Sequence, residues 1–453
     1  MKIAVIGAGW AGLSAAIYLQ RSGHQPVVFE AARTLGGRAR SVQSPPLNAT
    51  IDNGQHILLG AYTETWALMR ELQIPLESRL QRLRLSLQAA DGSFRLKAAL
   101  LPAPLHLLGG ILVARGLSVT ERVRLITLMQ NLRDRGWVVP ASATVGDWLR
   151  AGRQSDSVVR RFWRPLCLAT LNTPIEQACA QLLANVLRDS LGGARGACDI
   201  MLPRVRLSEL WPTRAAEKLD LRYGQAVRHL NRLSTHVEVE GERFDAALIA
   251  TNAPSALRLL KHDAPSSAGD AYLTQLAALR YNPIVTVTLE LERAWKPPAP
   301  MLMLYDYPEK CQFGQWLFDG SVAENPSKKI PGPGPTRTNP RIEGQRSMLT
   351  VVISDARSLE QHAQADIVAG ILEQMREQIQ GFPALPPVRG HATIIEKRAT
   401  FAATPDLARP ENATPWPRVW IAGDYTDTGY PAVLEGAVRS GKRAAELIAA
   451  YFS

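Results

Sequence analysis

The sequence predicts an α/β protein in which a Rossmann-like domain, assembled from separated segments, carries an inserted α+β domain. An apolar strand, Lys2–Ile6, runs directly into the turn Gly7-Ala8-Gly9-Trp10-Ala11-Gly12 and an alanine-rich helix. Near the other end of the chain, a buried strand at Val419–Ala422 leads to Gly423-Asp424 and to a helix that begins at Leu434. The long stretch between them alternates helical and strand-like patterns, which predicts the inserted domain.

The glycine turn predicts a dinucleotide site. Its glycines allow a tight strand-to-helix turn in which backbone N–H groups approach a pyrophosphate at the start of a helix. The second strand ends in an acidic residue that can accept hydrogen bonds from a ribose, and a Gly-Gly-Arg sequence then adds a close backbone approach and a cation. The candidate cofactor-binding residues of this unit are Gly7, Gly9, Trp10, Ala11, Gly12, Glu30, Ala31, Gly37 and Arg38.

This unit, together with the C-terminal strand and helix, resembles the FAD-binding half of the flavin amine oxidase and phytoene desaturase superfamily. The resemblance implies an FAD-binding domain of the glutathione-reductase type, which we expect to comprise residues 1–80, 215–262 and 391–453. The substrate domain is expected to comprise residues 81–214 and 263–390. No second strand-linked GxGxxG indicates a separate NAD(P)H domain. Because no cysteine follows Cys311, we expect the FAD to be bound non-covalently.

The same resemblance assigns further cofactor contacts. The strand at Ile51 enters a turn that passes close to the flavin in this superfamily, and backbone near Val227 would meet adenine. Asp424 is interpreted as a ribityl or phosphate contact, and Asp52 either orients the turn after its strand or contacts FAD. The cofactor-binding candidates added in this way are Gly54, Gln55, His56, Val227, Gly423, Asp424, Pro431 and Ala432.

Periodicity predicts the remaining elements. Strands are predicted at Ala226–Leu230, His236–Val239, Phe244–Ala250, Pro283–Glu292 and Met348–Ser354. Helices are predicted at Val119–Arg135, Thr144–Ala151, Glu176–Leu191 and Gln364–Gln380. Asn325–Gly344 is rich in Pro, Gly and basic residues, which is typical of a surface loop, and we assign it no chemistry.

Composition bounds the partners. The net charge of +11 and pI near 9.7 suit nucleic acid or an anionic membrane, but the arginines are scattered and no nucleic-acid module is recognisable. The apolar run Ala98–Ala114 is flanked by basic residues and is too short and too interrupted for a bilayer span, which needs about 20 residues. We expect it to dip into one leaflet, the alternatives being a wall of an internal tunnel or ordinary core packing.

The four cysteines lack metal-ligand spacing and the density of a disulfide scaffold, so no metal site is predicted. They are expected to be buried thiols in a reducing compartment. No signal peptide is recognised, because Lys2 leads straight into the nucleotide-binding strand. The expected location is the cytoplasm, with peripheral attachment to the inner membrane.

Segments along the whole chain resemble the hydroxysqualene dehydroxylase family. They are Asp52–Gly60, Phe162–Cys167, Ala169–Pro174, Leu187–Gly193, Leu202–Arg204, Gln315–Asp319 and Glu396–Phe401. The resemblance implies conversion of hydroxysqualene and reduced FAD to squalene, water and oxidised FAD. It also implies a separate electron donor, whose identity the sequence does not indicate.

Three residues are candidates for the proton donor of such a reaction. His56 is the first, since imidazole titrates near neutral pH, although it could instead hydrogen-bond its own turn. Asp189 could act as an acid or pair with a neighbouring arginine. Tyr430 could face the flavin as a donor or as a packing wall. The alternative functions are a carotenoid-type desaturase, an amine oxidase, which would want an aromatic cage, and a lipid carrier that holds FAD structurally.

Overall fold

The computed structural model describes residues 1–101, 105–194, 196–261, 267–320, 347–380 and 382–453. Its strands are β1 Lys2–Ile6, β2 Gln25–Glu30, β3 Ser41–Ser44, β4 Ala49–Asp52, β5 Leu58–Leu59, β6 Leu80–Leu83, β7 Ser86–Gln88, β8 Arg95–Lys97, β9 Ile200–Pro203, β10 Asp220–Tyr223, β11 Leu230–Arg232, β12 Val237–Val239, β13 Glu242–Phe244, β14 Ala246–Ile249, β15 Tyr281–Leu291, β16 Met301–Met303, β17 Trp316–Asp319, β18 Ser347–Ile353, β19 Val388–Phe401 and β20 Val419–Ile421. Its helices are α1 Trp10–Arg21, α2 Thr63–Glu71, α3 Leu76–Arg79, α4 Leu105–Leu112, α5 Val119–Asp134, α6 Val145–Ala151, α7 Asp156–Val158, α8 Arg164–Leu171, α9 Ala180–Ser190, α10 Leu207–Leu210, α11 Pro212–Ala216, α12 Ala253–Leu260, α13 Ser267–Ala278, α14 Gln364–Gln378 and α15 Leu434–Tyr451.

A five-stranded parallel sheet in the order β10-β2-β1-β14-β20 forms the Rossmann-like part. Its strands come from three distant parts of the chain. All four residues of β14 are fully buried, as expected for a central parallel strand with both faces covered. The mixed α/β fold with a Rossmann-like unit is therefore confirmed, and all five strands of this sheet lie within the ranges predicted for the FAD-binding domain.

Helices α1 and α15 pack closely against one another. Gly441 of α15 lies so close to α1 that an added Cβ would overlap the hydroxyl of Ser14 and the carbonyl oxygen of Ala11. Gly12 in the first turn of α1 is equally tight, since its Cβ would overlap the carbonyl oxygen of Gly7. These glycines bring the C-terminal helix next to the N-terminal nucleotide-binding turn.

A second, antiparallel sheet in the order β16-β17-β18-β15-β19 has two different faces. Alternate residues of β15, including Val285, Val287 and Leu289, pack with α14 in an apolar core. The residues between them, Ile284 and Thr286, lie in the wall of a large cavity. The period-two pattern predicted for this strand is confirmed: one face of the strand packs in the apolar core, and the other face lines the cavity.

The apolar run at 98–114 is divided between strand, helix and exposed surface, and residues 102–104 lie outside the described residues. Leu107 and Ile111 of α4 are buried, whereas Leu105 and Leu112 are exposed. No helix among the described residues is long and apolar enough to cross a membrane.

Most predicted elements are confirmed, with ends that differ by a few residues. The prediction of a strand at Ala226–Leu230 is wrong, because β11 begins only at Leu230. The strand of this region that joins the parallel sheet is β10, which ends at Tyr223. Residues 225–227 are not part of a strand and instead line the cavity. The helix predicted at Glu176–Leu191 begins later, at Ala180, and the C-terminal helix extends to Tyr451. Asn325–Gly344 lies outside the described residues.

Candidate active site

A cavity of about 870 Å³ lies at the carboxyl ends of the parallel strands and reaches the antiparallel sheet. Ligands of open α/β sheets bind at this edge. Seventeen of the candidate residues line it: Gly7, Gly9, Trp10, Ala11, Glu30, Ala31, Gly37, Arg38, Gly54, Gln55, His56, Asp189, Val227, Gly423, Asp424, Tyr430 and Ala432. Gly12 and Pro431 are not part of the wall, and Gly12 instead packs α1 onto the preceding turn.

The glycine turn leaves room at the cavity floor. Gly7 has a φ of +110°, and a Cβ there would lie 2.7 Å from the carbonyl oxygen of Ala250, so both conformation and space require glycine. Gly9 differs: the nearest atom to an added Cβ would be Cα of Gly37, at 3.8 Å. A side chain at Gly9 would therefore project into the cavity, as expected for a residue whose missing side chain makes room for a ligand.

Glu30 connects the two turns at the end of β2. One carboxylate oxygen accepts a hydrogen bond from the backbone N–H of Ala8, and the other accepts from Ala32, each at 2.8 Å. The carboxylate is thereby held beside the glycine turn, where a ribose hydroxyl could also donate to it.

Arg38 and Asp424 join the N-terminal and C-terminal halves of the site. Nη2 of Arg38 lies 2.5 Å from Oδ1 of Asp424, and Nη1 donates to the carbonyl oxygen of Ala399 at 2.6 Å. Burial alone would lower the pKa of Arg38, but the Asp424 carboxylate outweighs it and the net pKa is raised. The cavity therefore holds a fixed cation beside the backbone turns.

His56 is hydrogen-bonded to the backbone of its own turn. Its Nδ1 lies 2.9 Å from the carbonyl oxygen of Gly54, which assigns the ring proton to Nδ1 and leaves Nε2 as an acceptor. Burial lowers the pKa of His56, and the nearby Arg38 guanidinium lowers it further. The ring is thus both the turn's own hydrogen-bond donor and a group in the cavity wall.

Tyr430 and Asp189 meet across the chain. The hydroxyl of Tyr430 donates to Oδ2 of Asp189, and Nε of Arg188 pairs with Oδ1 of the same carboxylate at 2.7 Å. The guanidinium of Arg439 lies 4.4 Å from the centre of the Tyr430 ring. Tyr430 and Asp189, each a candidate proton donor, therefore form one hydrogen-bonded pair, and Asp189 also pairs with the neighbouring Arg188.

The residues fit FAD. Gly9 and Gly37 form a cradle that a side chain at Gly9 would fill, at the N-terminus of α1, where backbone N–H groups attract a pyrophosphate. Glu30 suits a ribose, and Arg38 with Asp424 lies at the junction with the C-terminal segment. These are the residues that would hold the cofactor.

The sequence model described as "Flavin containing amine oxidoreductase" matches residues 10–449. The chain belongs to this family. It is an FAD oxidoreductase.

Relatives of known name that match nearly the whole chain include hydroxysqualene dehydroxylases and a phytoene desaturase. A hydroxysqualene dehydroxylase from Rhodopseudomonas palustris is 30% identical over 98% of each chain, and one from Zymomonas mobilis is 25% identical over 98% of each. A 15-cis-phytoene desaturase from Synechococcus elongatus is 26% identical over 99% of this chain and 96% of its own. The first of these relatives confirms the resemblance to the hydroxysqualene dehydroxylase family.

Solved structures support the fold of this flavin oxidoreductase. Cyclohexylamine oxidase from Brevibacterium oxydans superposes with a TM-score of 0.69 at 18% identity, covering 100% of this chain and 99% of its own. A triple mutant of putrescine oxidase superposes with a TM-score of 0.71 at 16% identity, covering 99% of each chain. At this identity the likeness supports the fold alone.

Some wall residues of the oxidoreductase were not predicted as site residues. Asn172 ends α8 with a φ of 49°, and its side-chain amide donates to Thr400 Oγ1 at 2.9 Å, which links that helix to β19. An asparagine at a helix end is a recognisable signal for a left-handed cap, but not for a cavity wall. Cys198 also lines the cavity, and burial raises the pKa of its thiol.

Proposed function

We propose that this oxidoreductase reductively dehydroxylates hydroxysqualene to squalene, using reduced FAD. The proposal is carried by one observation: likeness to hydroxysqualene dehydroxylases extends over 98% of the chain, substrate-binding part included. The phytoene desaturases, which match comparably far along the chain, make hydrocarbon desaturation the second candidate.

The end of the cavity remote from the glycine turn suits a long hydrocarbon. It lies between the antiparallel sheet and the helices of the insertion. Its apolar wall includes Leu85, Leu87, Leu107, Phe162, Leu166, Ile284, Met301, Trp316, Phe318 and Val352. A π-helical turn at Val159–Trp163 carries Phe162, and such turns are frequent at functional sites. A polyprenyl chain would be desolvated along this wall.

Bound reduced FAD supplies the hydride. The chain must hold the hydroxyl-bearing allylic carbon within about 3–3.5 Å of the donor atom, exclude water and deliver a proton to the departing hydroxyl. The buried apolar wall performs the first two tasks. Departure of the hydroxyl as water leaves a delocalised allylic cation, which the hydride then neutralises.

We assign proton delivery to His56. It lies in the cavity wall, and once protonated, an imidazolium with a lowered pKa is a strong acid. Nε2 is available, since Nδ1 is engaged with Gly54. The Tyr430–Asp189 pair is the rival: its hydroxyl proton is already donated to a carboxylate that is also bound to Arg188, so we give it the role of a polar wall.

We further propose that residues 1–80, 215–262 and 391–453 act as the FAD-binding domain and that residues 81–214 and 263–390 act as the substrate domain. The parallel sheet takes its strands from the first set, and the apolar wall comes mainly from the second. FAD is expected to be bound without a covalent bond, and a separate partner must reduce it.

Peripheral membrane contact at the cytoplasmic face of the inner membrane completes the proposal. The edge around α4 exposes large apolar side chains, with 81% of Leu100 and 78% of Val113 accessible. Arg122 donates to the carbonyl oxygens of Leu112 and Ala114 at 2.9 Å each, which holds a cation beside this edge. On the same helix, Leu107 lines the cavity, so the exposed edge and the substrate site are neighbours. Apolar side chains with adjacent cations suit an anionic lipid surface.

The test is an anaerobic reaction of photoreduced enzyme with hydroxysqualene. The proposal expects reoxidation of the flavin, followed by absorbance, and one squalene per flavin, measured by mass spectrometry. Incubation of oxidised enzyme with phytoene is the companion measurement. Bleaching of the flavin by phytoene, with no reaction of hydroxysqualene, would replace the proposal by desaturation.

A further inference from the structure

A second cavity, of about 50 Å³, lies on the other side of the turn that carries His56. Gly54, Gln55 and His56 belong to the walls of both cavities. The remaining wall of the small cavity is rich in polar side chains, which include Asp52, Arg206, Asp319 and Thr350. The two cavities thus share the segment 54–56, with its titratable ring, and the side chain of Phe318.

The antiparallel sheet explains this arrangement. Thr286 of β15 lines the large cavity, and Thr288, two residues further along the same face, lines the small one. Two residues of an extended strand span about 6.8 Å, so the small cavity is the next compartment along that face. A buried water needs about 10–15 Å³ of such volume and two to four polar partners. The small cavity therefore has room and partners for a few water molecules.

Asp52 is held firmly in this wall. Its Oδ1 accepts hydrogen bonds from Ser41 Oγ at 2.8 Å and from the backbone N–H of Leu207 at 3.0 Å. Burial raises the pKa of Asp52 despite these two bonds. The carboxyl therefore keeps its proton to a higher pH than an ordinary aspartate, while His56 gives up its proton at a lower pH than an ordinary histidine.

Other charges bear on these two groups. Arg206 favours ionisation of Asp52, and Glu209 opposes it. Arg38 opposes protonation of His56 from the side of the large cavity. Asp319, at the end of β17, faces the same small cavity. The wall of the small cavity therefore carries two acidic side chains, Asp52 and Asp319, and one cation, Arg206.

The proposed dehydroxylation consumes one proton in each turnover, in a site that must exclude water, so a separate route for protons is needed. Resting on that function, we propose that the small cavity is a water-filled proton compartment in which Asp52 supplies His56. Asp52 is a positioning and supply residue that acts through His56 and does not touch the substrate.

The Asp52 carboxyl releases its proton through water to the imidazole of His56. The imidazolium gives a proton to the substrate hydroxyl, the C–O bond breaks with its electron pair going to oxygen, and water leaves. Reduced FAD, when bound, would supply the hydride that neutralises the carbon. Solvent then returns a proton to the Asp52 carboxylate.

The test is Asp52→Asn in the holoenzyme, since an asparagine oxygen can still accept from Ser41 and Leu207. We expect normal FAD content and single-turnover reoxidation at least about tenfold slower, with a changed pH profile. NMR of histidine-labelled oxidised enzyme, with His56→Gln to identify the signal, should show an unchanged titration of His56, because burial, Gly54 and Arg38 set its pKa and a supply residue changes only the rate. The matched control is Asp199→Asn, which removes a carboxylate paired with Arg82 at 2.6 Å outside both cavity walls.

A single-turnover rate in Asp52→Asn equal to that of Asp199→Asn would overturn the proposal, and so would a slower rate that is accompanied by a shifted His56 titration, because Asp52 would then act on the acid itself. If Asp52→Asn loses its FAD, the double variant Thr288→Val and Thr350→Val replaces it in the test. This variant exchanges two hydroxyls in the small-cavity wall for methyl groups. A slower single-turnover rate supports the compartment, and an unchanged rate refutes it. Formation of squalene by the wild type is scored separately. Its absence would remove the proposed function, whereas squalene formed at full speed by Asp52→Asn would remove the proton route alone.

Discussion

Replacing Gly9 by leucine tests the cofactor site directly. The backbone at Gly9 has φ −74° and ψ 178°, a conformation open to any residue, so the substitution adds no backbone strain. The nearest atom to the new Cβ is Cα of Gly37 at 3.8 Å, an ordinary contact distance. The rest of the leucine side chain would extend into the cavity, where the cofactor's pyrophosphate is expected to lie.

The size of the effect follows from the hydrogen bonds that the pyrophosphate would lose. A hydrogen bond to a charged group contributes about 1.5–3 kcal/mol, and displacement of the anion from two backbone N–H groups would cost about 3–6 kcal/mol. Since about 1.4 kcal/mol corresponds to a tenfold change, FAD should bind about a hundredfold to ten-thousandfold more weakly. The free energy of unfolding of the apoprotein should change by no more than about 0.5 kcal/mol.

Calorimetric titration of the apoprotein with FAD measures the first quantity, and urea unfolding of the apoprotein measures the second. Gly12→Ala is the control with the opposite signature: its methyl group would overlap the carbonyl oxygen of Gly7, so it should destabilise the apoprotein by about 1–3 kcal/mol. Wild-type FAD affinity in Gly9→Leu would refute the placement of the pyrophosphate at this turn.

Three further predictions concern the acid, its rival and the membrane edge. His56→Gln should slow single-turnover flavin reoxidation about a hundredfold, and wild-type speed would make His56 structural. The pKa of His56 is lowered in the folded protein, so the unfolded chain takes up the imidazole proton first as the pH falls below about 6.5. The stability that the neutral imidazole contributes above this pH is therefore lost as the pH falls through the folded pKa. Denaturation of His56→Gln at several pH values should lack this loss. Tyr430→Phe should keep its FAD, and its rate of flavin reoxidation should fall by less than about tenfold. A hundredfold fall in this rate in stopped-flow measurements would make Tyr430 the acid. The double variant Leu112→Ser and Val113→Ser should sediment less with anionic liposomes than the exposed-surface control Val138→Ser, and equal sedimentation would exclude this edge.

Local patterns predicted the elements of the fold well where one face is buried and the chain is punctuated by glycine. The turn after β1 is an example, because each of its glycines answers a local need for space or conformation. Residues 226–230 are the counter-example: they were predicted to form one strand, but only Leu230 belongs to a strand, and Ala226 and Val227 line the cavity. Apolar residues that line a ligand site and those that line a core give the same sequence signal.

The apolar run around α4 illustrates the same limit on a surface. Its composition predicted contact with lipid, with a tunnel or with the core, and the structure divides these roles by position on one helix. Ile111 packs in the core, Leu107 borders the cavity and Leu112 faces outward. Helical periodicity separates such faces only when polar residues mark one of them, and here nearly all positions are apolar.

Pairs of site residues lie beyond local patterns altogether. Arg38 and Asp424 are separated by 386 positions and Tyr430 and Asp189 by 241, yet each pair is in hydrogen-bonding contact. Each residue could be proposed singly, from the chemistry of its side chain and its neighbours in sequence. The contact changes the role that each side chain can have. A carboxylate bound to a tyrosine and an arginine is a poor proton donor, and an arginine bound to Asp424 is a fixed part of the site. The proposed role of His56 as the acid depends on these partners. The polar compartment behind the His56 turn, which is the proposed source of its proton, is recognisable only in the three-dimensional arrangement.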